Sequence, residues 1–383
     1  VRWDDDGGAD ERLLLSRWAA ERSKRYLAAP VAVGTVDQAM LAGLQVKHAH
    51  LRSAALARSL LVIDEVHASD RYMSEVQTHL LRTHLGRGGY AMLMSATLGS
   101  VARVRWLTQR RRVVEPPFDA AVATPYPAIW GMRREEPDGP DPDGREKRVA
   151  MRLAPSWAAQ EAARYAIDAA GAGAKVLVIR NTVTAALATF RAVQEAGAGD
   201  QLWTVEGGPA LHHSRFAPED RRLLDDAVEA ALSPEAERRP PGGLIVIGTQ
   251  TLEQSLDIDA DMLVTDLCPA DVLLQRIGRL HRHALKRPQV FETPRCVVLA
   301  PESGLEPLIG RFENGLGTLK DGGGVYQNLH ACELTRRLVV DHPVWVIPRM
   351  NRLLVEGATH PERIAALNGE LGRAWEDYWN RFD

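Results

Sequence analysis

The stretch Leu60-Leu61-Val62-Ile63-Asp64-Glu65-Val66-His67 sets four apolar residues directly before two adjacent carboxylates. A short continuous apolar run reads as a strand buried on both faces, as in parallel sheets. In open α/β sheets the ligand crevice lies just beyond the carboxyl ends of such strands. Two carboxylates there suit phosphoryl chemistry: Asp64 can hold Mg²⁺, and Glu65 can act as base on, or orient, an attacking water. A strand that merely meets a solvated turn ends the same way, so the dipeptide alone does not decide. A second set lies at 272–283. Read as a helix, Leu273, Leu274, Ile277 and Leu280 form one apolar face, and Gln275, Arg279 and Arg282 fall on a separate polar stripe. Two planar, permanently charged guanidiniums on one stripe suit triphosphate oxygens and the charge that develops in phosphoryl transfer. A solvated amphipathic helix fits that pattern equally well.

Smaller polar groups stand at other element ends. Gly34-Thr35 follows Val31-Ala32-Val33, read as a short strand, and precedes a helix with Val36, Met40, Leu41 and Leu44. A backbone N–H beside a Thr hydroxyl at a helix start can hold one phosphate oxygen, although a glycine turn with an N-cap is the simpler reading. Ser95-Ala96-Thr97 closes the strand Ala91–Met94; its hydroxyls could bridge a carboxylate to a neighbouring domain or cap the next helix. The arginine-rich segment 103–112, with Trp106 inserted, suits nucleic acid or a solvated helix face. His48 and His50 have no carboxylate at fixed spacing and read as a polar loop, and Asp341-His342 carries no assigned chemistry.

The elements that must position these groups follow from apolar patterning. Residues 71–86 predict a helix. Val176–Ile179, Leu202–Val205, Leu244–Ile247 and Met262–Val264 predict strands that alternate with helices and end in polar residues such as Gly248-Thr249-Gln250. That alternation indicates a doubly wound parallel sheet. Residues 133–149 hold three prolines and almost nothing to bury, and read as a linker or insertion. Beyond residue 300, glycine-rich turns, the strand-like Val344–Ile347 and a final helix from about Pro361 suggest a small accessory region.

Composition bounds the function. The 383 residues are 45% hydrophobic and 25% charged, ordinary values for a soluble globular protein of two or three domains. No apolar run approaches the roughly 20 residues that span a bilayer, and no signal-peptide pattern is present, so no membrane partner is expected. Three well-separated cysteines, Cys268, Cys296 and Cys332, predict reduced thiols and a cytoplasmic location. A net charge of −3 means that nucleic-acid binding must come from a local groove.

The order of these motifs is the discriminating feature. Asp64-Glu65-Val66-His67, Ser95-Ala96-Thr97, Gly248-Thr249-Gln250 through Asp257-Ile258-Asp259, and Gln275-Arg276-Ile277-Gly278-Arg279-Leu280-His281-Arg282 resemble motifs II, III, V and VI of superfamily 2 DExH helicases. Val31–Gln38, Val46–Arg52, Glu253–Asp259, and His213-Ser214-Arg215-Phe216 with Asp220-Arg221 resemble the type I CRISPR-associated helicase-nuclease in particular. The resemblance covers most of residues 20–370. It implies two RecA-like parallel-sheet domains, the first N-terminally truncated, plus a C-terminal accessory region. The implied boundaries are 1–125, a linker at 126–150, 151–300 and 301–383.

By the same resemblance the cofactors are ATP and Mg²⁺, with Mg²⁺ on Asp64 and the hydrolytic water on Glu65. His67, Ser95 and Thr97 would couple the nucleotide to the nucleic acid. Gly34, Thr35, Thr249 and Gln250 would contact a strand backbone, and Asp257 would sit near the ribose. Gln275, Arg279 and Arg282 would reach the γ-phosphate. The implied partners are single-stranded or displaced DNA, a CRISPR surveillance complex and an HD nuclease domain.

Two departures bear on activity. No G-x-x-x-x-G-K-[S/T] loop occurs, and Gly315-Leu316-Gly317-Thr318-Leu319-Lys320 has neither its spacing nor its final Ser/Thr. No His-Asp dipeptide occurs, and the first residue is Val. A C-terminal fragment of a larger protein, inactive by itself, is the expectation. The competing readings are another superfamily 2 motor, such as a restriction translocase or an RNA helicase, and a non-catalytic nucleic-acid-binding module.

Overall fold

The computed structural model describes residues 26–66, 71–109, 114–132, 139, 146–253, 256–318 and 324–382. His67 and Arg110–Arg112 lie outside the described residues, as do Gln254 and Ser255 and most of the 133–149 segment. The chain divides into two compact units, Val1–Glu115 and Pro116–Asp383.

The first unit contains α1 (Val36–Met40), α2 (Ala49–Leu56), β1 (Leu60–Ile63), α3 (Arg71–Gly86), β2 (Tyr90–Leu93) and α4 (Ser100–Thr108). Helix α3 covers the span that the sequence predicts. β1 and β2 pair in parallel, from Leu60 opposite Tyr90 to Ile63 opposite Leu93. Leu61 and Ile63 form a core with Leu56, Leu80, Leu81 and Trp106. The expectation that β1 is buried on both faces is overturned: Leu60 is 60% and Val62 47% exposed, as are their neighbours Tyr90 (75%) and Met92 (49%). Alternate residues point to opposite faces, and the buried residues of α1–α4 gather on one face only. Val31 and Val33 form no strand and are exposed. In the arginine-rich segment Arg103 and Trp106 are buried, so those two do not form a solvated face.

The second unit begins with α5 (Phe118–Val122), a segment that the sequence reading places before the linker. It is tied here to the end of the chain: the Phe118 N–H donates to Glu362 Oε1 at 3.2 Å, and His360 Nε2 lies 2.9 Å from the Pro116 carbonyl oxygen. There follow β3 (Lys147–Ala154), α6 (Ala159–Gly171), β4 (Lys175–Ile179), α7 (Val183–Glu195), β5 (Thr204–Val205), β6 (Gly208–Pro209), α8 (Pro218–Ala231), β7 (Leu244–Gly248), β8 (Met262–Asp266), α9 (Ala270–Ile277), β9 (Arg295–Leu299), α10 (Leu329–Asp341), β10 (Val344–Ile347), α11 (Asn351–Thr359), α12 (Pro361–Leu371) and α13 (Arg373–Phe382). The sheet order is β10-β3-β9-β8-β4-β7, parallel except for β10 at one edge. Every residue of β4, β7 and β8 is buried, as unbroken apolar runs in a covered parallel sheet require. The predicted strand at Leu202–Val205 is reduced to a hairpin of two-residue strands, β5 and β6.

Two expectations change here. Lys147–Val149, assigned to the linker, starts an eight-residue strand inside the sheet, because β9 and β10 supply its backbone partners. Residues 301–383 are not a small accessory region. β10 extends the sheet, and Leu329, Leu334, Trp345, Leu354 and Trp375 belong to the same core as Leu177, Val246 and Leu263. The other face is covered by α6 and α7 through Ala162, Ala166, Ala186 and Val193. All three cysteines are buried and free. Among the described residues no helix is long and apolar enough to cross a membrane.

Candidate nucleotide and nucleic-acid site

Asp64 and Glu65 stand exposed just past the carboxyl end of β1. The Glu65 N–H donates to Asp64 Oδ1 at 2.9 Å, and Glu65 holds φ at +52°. A left-handed backbone at a residue with a Cβ costs about 1–2 kcal/mol, so the turn is held by its surroundings. Those holds are visible: Met94 N–H donates to the Ile63 carbonyl oxygen at 2.9 Å, and Val66 N–H to that of Met94 at 3.1 Å. The two strand ends are thereby zipped together, which brings Ser95 and Thr97 to the end of the sheet that carries the carboxylates. The Thr97 N–H donates to Ser95 Oγ at 3.2 Å. Thr97 is buried, and its hydroxyl has no hydrogen-bond partner among the described residues. Thr35 occupies the N-cap of α1 with extended backbone, but its side chain caps nothing. Gly34 lies under the Tyr26 ring, where a Cβ would come within 2.9 Å of the phenol oxygen.

In the second unit, Gly248 closes β7 against a neighbouring backbone; a Cβ there would come within 2.5 Å of the His212 carbonyl oxygen. Thr249, 2% exposed, donates its N–H to that same oxygen at 3.0 Å. Gln250 Nε2 donates to the Asn181 carbonyl oxygen at 2.8 Å. The His212 ring bridges Thr251 Oγ1 at 2.6 Å and Asp225 Oδ1 at 2.7 Å. Burial holds its pKa below the usual histidine value despite the Asp225 carboxylate.

The polar stripe predicted over 272–283 does not form. Helix α9 ends at Ile277, and residues 278–282 turn away. Lys147 Nζ donates to the Ile277 and Leu280 carbonyl oxygens at 2.9 and 2.7 Å, satisfying groups that a longer helix would have used itself. Burial lowers the Lys147 pKa to about 8. Gln275 remains on the helix. Arg279 is buried, with its guanidinium donating to the Glu253 carbonyl oxygen at 2.6 Å and to that of Leu256. Arg282 is half-exposed and pairs with Asp257 at 2.9 Å, and His283 Nε2 lies 2.9 Å from the same oxygen. The His283 hydrogen bond pulls the Asp257 carboxyl below its usual range, with Arg282 adding to the effect.

Sequence reasoning passed over Arg276, which is fully buried and cross-links the polar strand ends of the second unit. Its guanidinium reaches Glu253 Oε1 at 2.7 Å, Thr265 Oγ1 at 2.6 Å, the Asp266 carbonyl oxygen at 3.2 Å, Asn181 Oδ1 at 3.1 Å and the Tyr326 hydroxyl at 2.9 Å. Burial pushes the Glu253 carboxyl above its usual range, against the pull of this guanidinium. Arg180 repeats the pattern, with both Asp266 oxygens within 3.0 Å. The signal available beforehand was position: Arg276 falls between Leu273 and Ile277 on the apolar side of the helix.

The donor set bears on which metal could fit. Among the described residues no group of three or more His, Cys, Asp or Glu side chains comes together, so no all-protein cage exists there. One exposed carboxylate at a strand end instead fits Mg²⁺, which is usually held by one or two carboxylates together with substrate phosphates.

A mostly parallel α/β sheet in the second unit, and a parallel strand pair ending in two carboxylates in the first, define the class as a RecA-like α/β fold. Residues 172–285 match the family described as CRISPR-associated nuclease/helicase Cas3, C-terminal. The chain is 33% identical over 308 residues to the CRISPR-associated endonuclease/helicase Cas3 of Escherichia coli K12, covering 78% of this chain and 33% of that protein. It is 34% identical over 336 residues to the Thermus thermophilus protein of the same description, covering 78% and 35%. The crystal structure of T. fusca Cas3 superposes with a TM-score of 0.69 at 27% identity, over 95% of this chain and 43% of that one. Structures of T. fusca Cas3 with AMPPNP and with ADP match at 26% identity (TM-scores 0.67 and 0.68; 93% and 95% of this chain, 43% of each of those), as does a CRISPR RNA-guided surveillance complex in a pre-nicking state at 27% (TM-score 0.64; 93% of this chain and 45% of that one). The chain is similar to these Cas3 helicase-nucleases over most of its own length, and spans about one third of the length of the curated proteins it matches.

Proposed function

We propose that this chain supplies the motif II to motif VI portion of an ATP-driven motor that moves on DNA in type I CRISPR interference. The observation that carries the reading is the exposed Asp64-Glu65 pair at the carboxyl end of a parallel strand, zipped to Ser95–Thr97. The T. fusca relatives solved with AMPPNP and ADP support a nucleotide as the ligand. Bound Mg²⁺ would neutralise phosphate charge, with Asp64 as its protein ligand, and Glu65 would accept the proton of the attacking water. Ser95 and Thr97 would couple that end of the sheet to the nucleic acid. In the first unit Gly34 and Thr35 would meet DNA backbone, and in the second Thr249 and Gln250 would do so, Thr249 only through the small part of its surface that remains open. Asp257 would lie near the ribose and holds Arg282 in place. Arg282, Arg279 and Gln275 are the candidates for the γ-phosphate, and Arg279 must exchange its two carbonyl partners to serve. The surveillance complex among the similar structures supports such a complex as partner.

The test is DNA-stimulated phosphate release by this chain joined in frame to a segment that supplies G-x-x-x-x-G-K-[S/T]. Glu65→Gln should abolish turnover and leave ATP binding in place. Unchanged turnover would remove Glu65 from the role given to it.

A further inference from the structure

The sheet face that carries α6 and α7 is unevenly covered. α6 packs over β4, β7 and β8, while Arg152 on β3 and Arg295 on β9 reach the surface. Beside α6 the structure opens into a cavity of about 530 Å³ lined by Ala150, Arg152, Tyr165, Phe291, Arg295 and Val297 among others. It lies toward the amino ends of the parallel strands, the opposite end of the sheet from Gly248–Gln250.

The register of β3 and β9 sets Ala150 opposite Arg295 and Arg152 opposite Val297. On this face the two arginines therefore take one diagonal and two small apolar residues take the other. The Arg152 guanidinium sits 5.3 Å from the Tyr165 ring centroid, and that of Arg295 sits 5.1 Å from the Phe291 centroid. Stacking of this kind restrains a guanidinium while leaving its in-plane N–H donors for a ligand. Arg164, 4.2 Å from Tyr165, is already engaged by Glu161 at 2.5 Å and Asp168 at 3.5 Å. Arg152 and Arg295 make no ion pair or side-chain hydrogen bond among the described residues. Glu161 feels the charge of Arg152 from beyond ion-pair distance.

We propose that this cavity binds a nucleoside monophosphate, with the phosphate held by Arg152 and Arg295 and the base laid over Ala150. A phosphate monoester carries about −1.5 to −2 charges at pH 7, which two guanidiniums match. The volume falls within the range of about 300–1,000 Å³ typical of small-ligand pockets. The lining beside the two arginines is largely apolar, which suits a nucleobase and gives inorganic phosphate nothing to contact. The ligand comes either as free nucleotide or as the 5′-phosphorylated end of a strand. The site uses none of the motor residues.

Calorimetric titration of the purified chain tests this with thymidine 5′-monophosphate, thymidine, inorganic phosphate, and oligothymidylates bearing a 5′-phosphate or a 5′-hydroxyl. Thymidine monophosphate should saturate, with thymidine and inorganic phosphate each at least about tenfold weaker. Arg152→Met and Arg295→Met should each weaken it about tenfold with an unchanged thermal melt, and Asp64→Asn should leave it intact. Tighter binding of the 5′-phosphorylated oligonucleotide than of the mononucleotide identifies the strand end as source; the reverse identifies the free nucleotide. The proposal is overturned if thymidine monophosphate does not saturate. It is equally overturned if the Arg152→Met/Arg295→Met double variant melts like the wild type and binds unchanged.

Discussion

Replacing Arg276 with Met tests how the second unit holds its polar strand ends together. The substitution keeps an unbranched apolar stem and removes a guanidinium with five partners drawn from the turn after β4, β8, the loop after β7 and residue 326. Glu253, 5% exposed, is left with its charge and without its ion-pair partner. Breaking a buried pair from one side costs about 3–5 kcal/mol, mostly because an uncompensated charge stays behind. At about 2 °C per kcal/mol for a unit of this size, the melting temperature should fall by about 6–10 °C. Urea unfolding followed by tryptophan fluorescence reads the loss directly, since Trp345 and Trp375 are buried in the core concerned. If the unpaired carboxylate dominates, Glu253→Met in the same chain should recover a large part of the loss. Recovery should stay incomplete, because Thr265, Asn181 and Tyr326 still lack their partner. A single variant that loses less than about 1 kcal/mol, or a double variant less stable than the single, would refute the reasoning.

Other outcomes follow from the same geometry. The 383 residues alone should release phosphate from ATP only at background, because they contain no loop to cradle the β- and γ-phosphates; DNA-stimulated turnover abolished by Glu65→Gln would reveal a cradle elsewhere. Any binding of single-stranded DNA should weaken steeply with added salt, as phosphate contacts release counterions, so a salt-independent affinity argues against the proposed strand contacts. Lys147→Met should cost about 1–3 kcal/mol and speed amide exchange at residues 278–282, because the Leu280 carbonyl loses its donor and that of Ile277 keeps only the Leu280 N–H. His281, whose pKa burial lowers to about 4, should make stability fall as pH drops from 6.5 to about 4. In that window the unfolded chain takes up a proton that the folded turn refuses, and His281→Asn should flatten that part of the pH profile.

Patterns that depend on neighbours in sequence were legible from the sequence. The alternation of apolar runs with helices locates α3, β4, β7 and β8, and the motif order by itself carries the family resemblance. Local spacing fixes the type of an element because backbone geometry sets which residues share a face. What the sequence left open depends on partners brought from far along the chain. The sequence over 272–283 reads as one continuous helix, whereas in the fold Lys147, 130 residues before Ile277, caps its end. Arg279 and Arg282 share a sequence motif but not an environment, since one lies among backbone carbonyls and the other pairs with Asp257 near the surface. β1 read as buried on both faces because apolar content says that cover is needed, while only the packing of α1–α4 decides which face receives it. Residues 301–383 carried little local signal, yet their helices complete the core over one face of the second sheet. Burial, and with it the partner that each charge finds, is a property of the assembled fold.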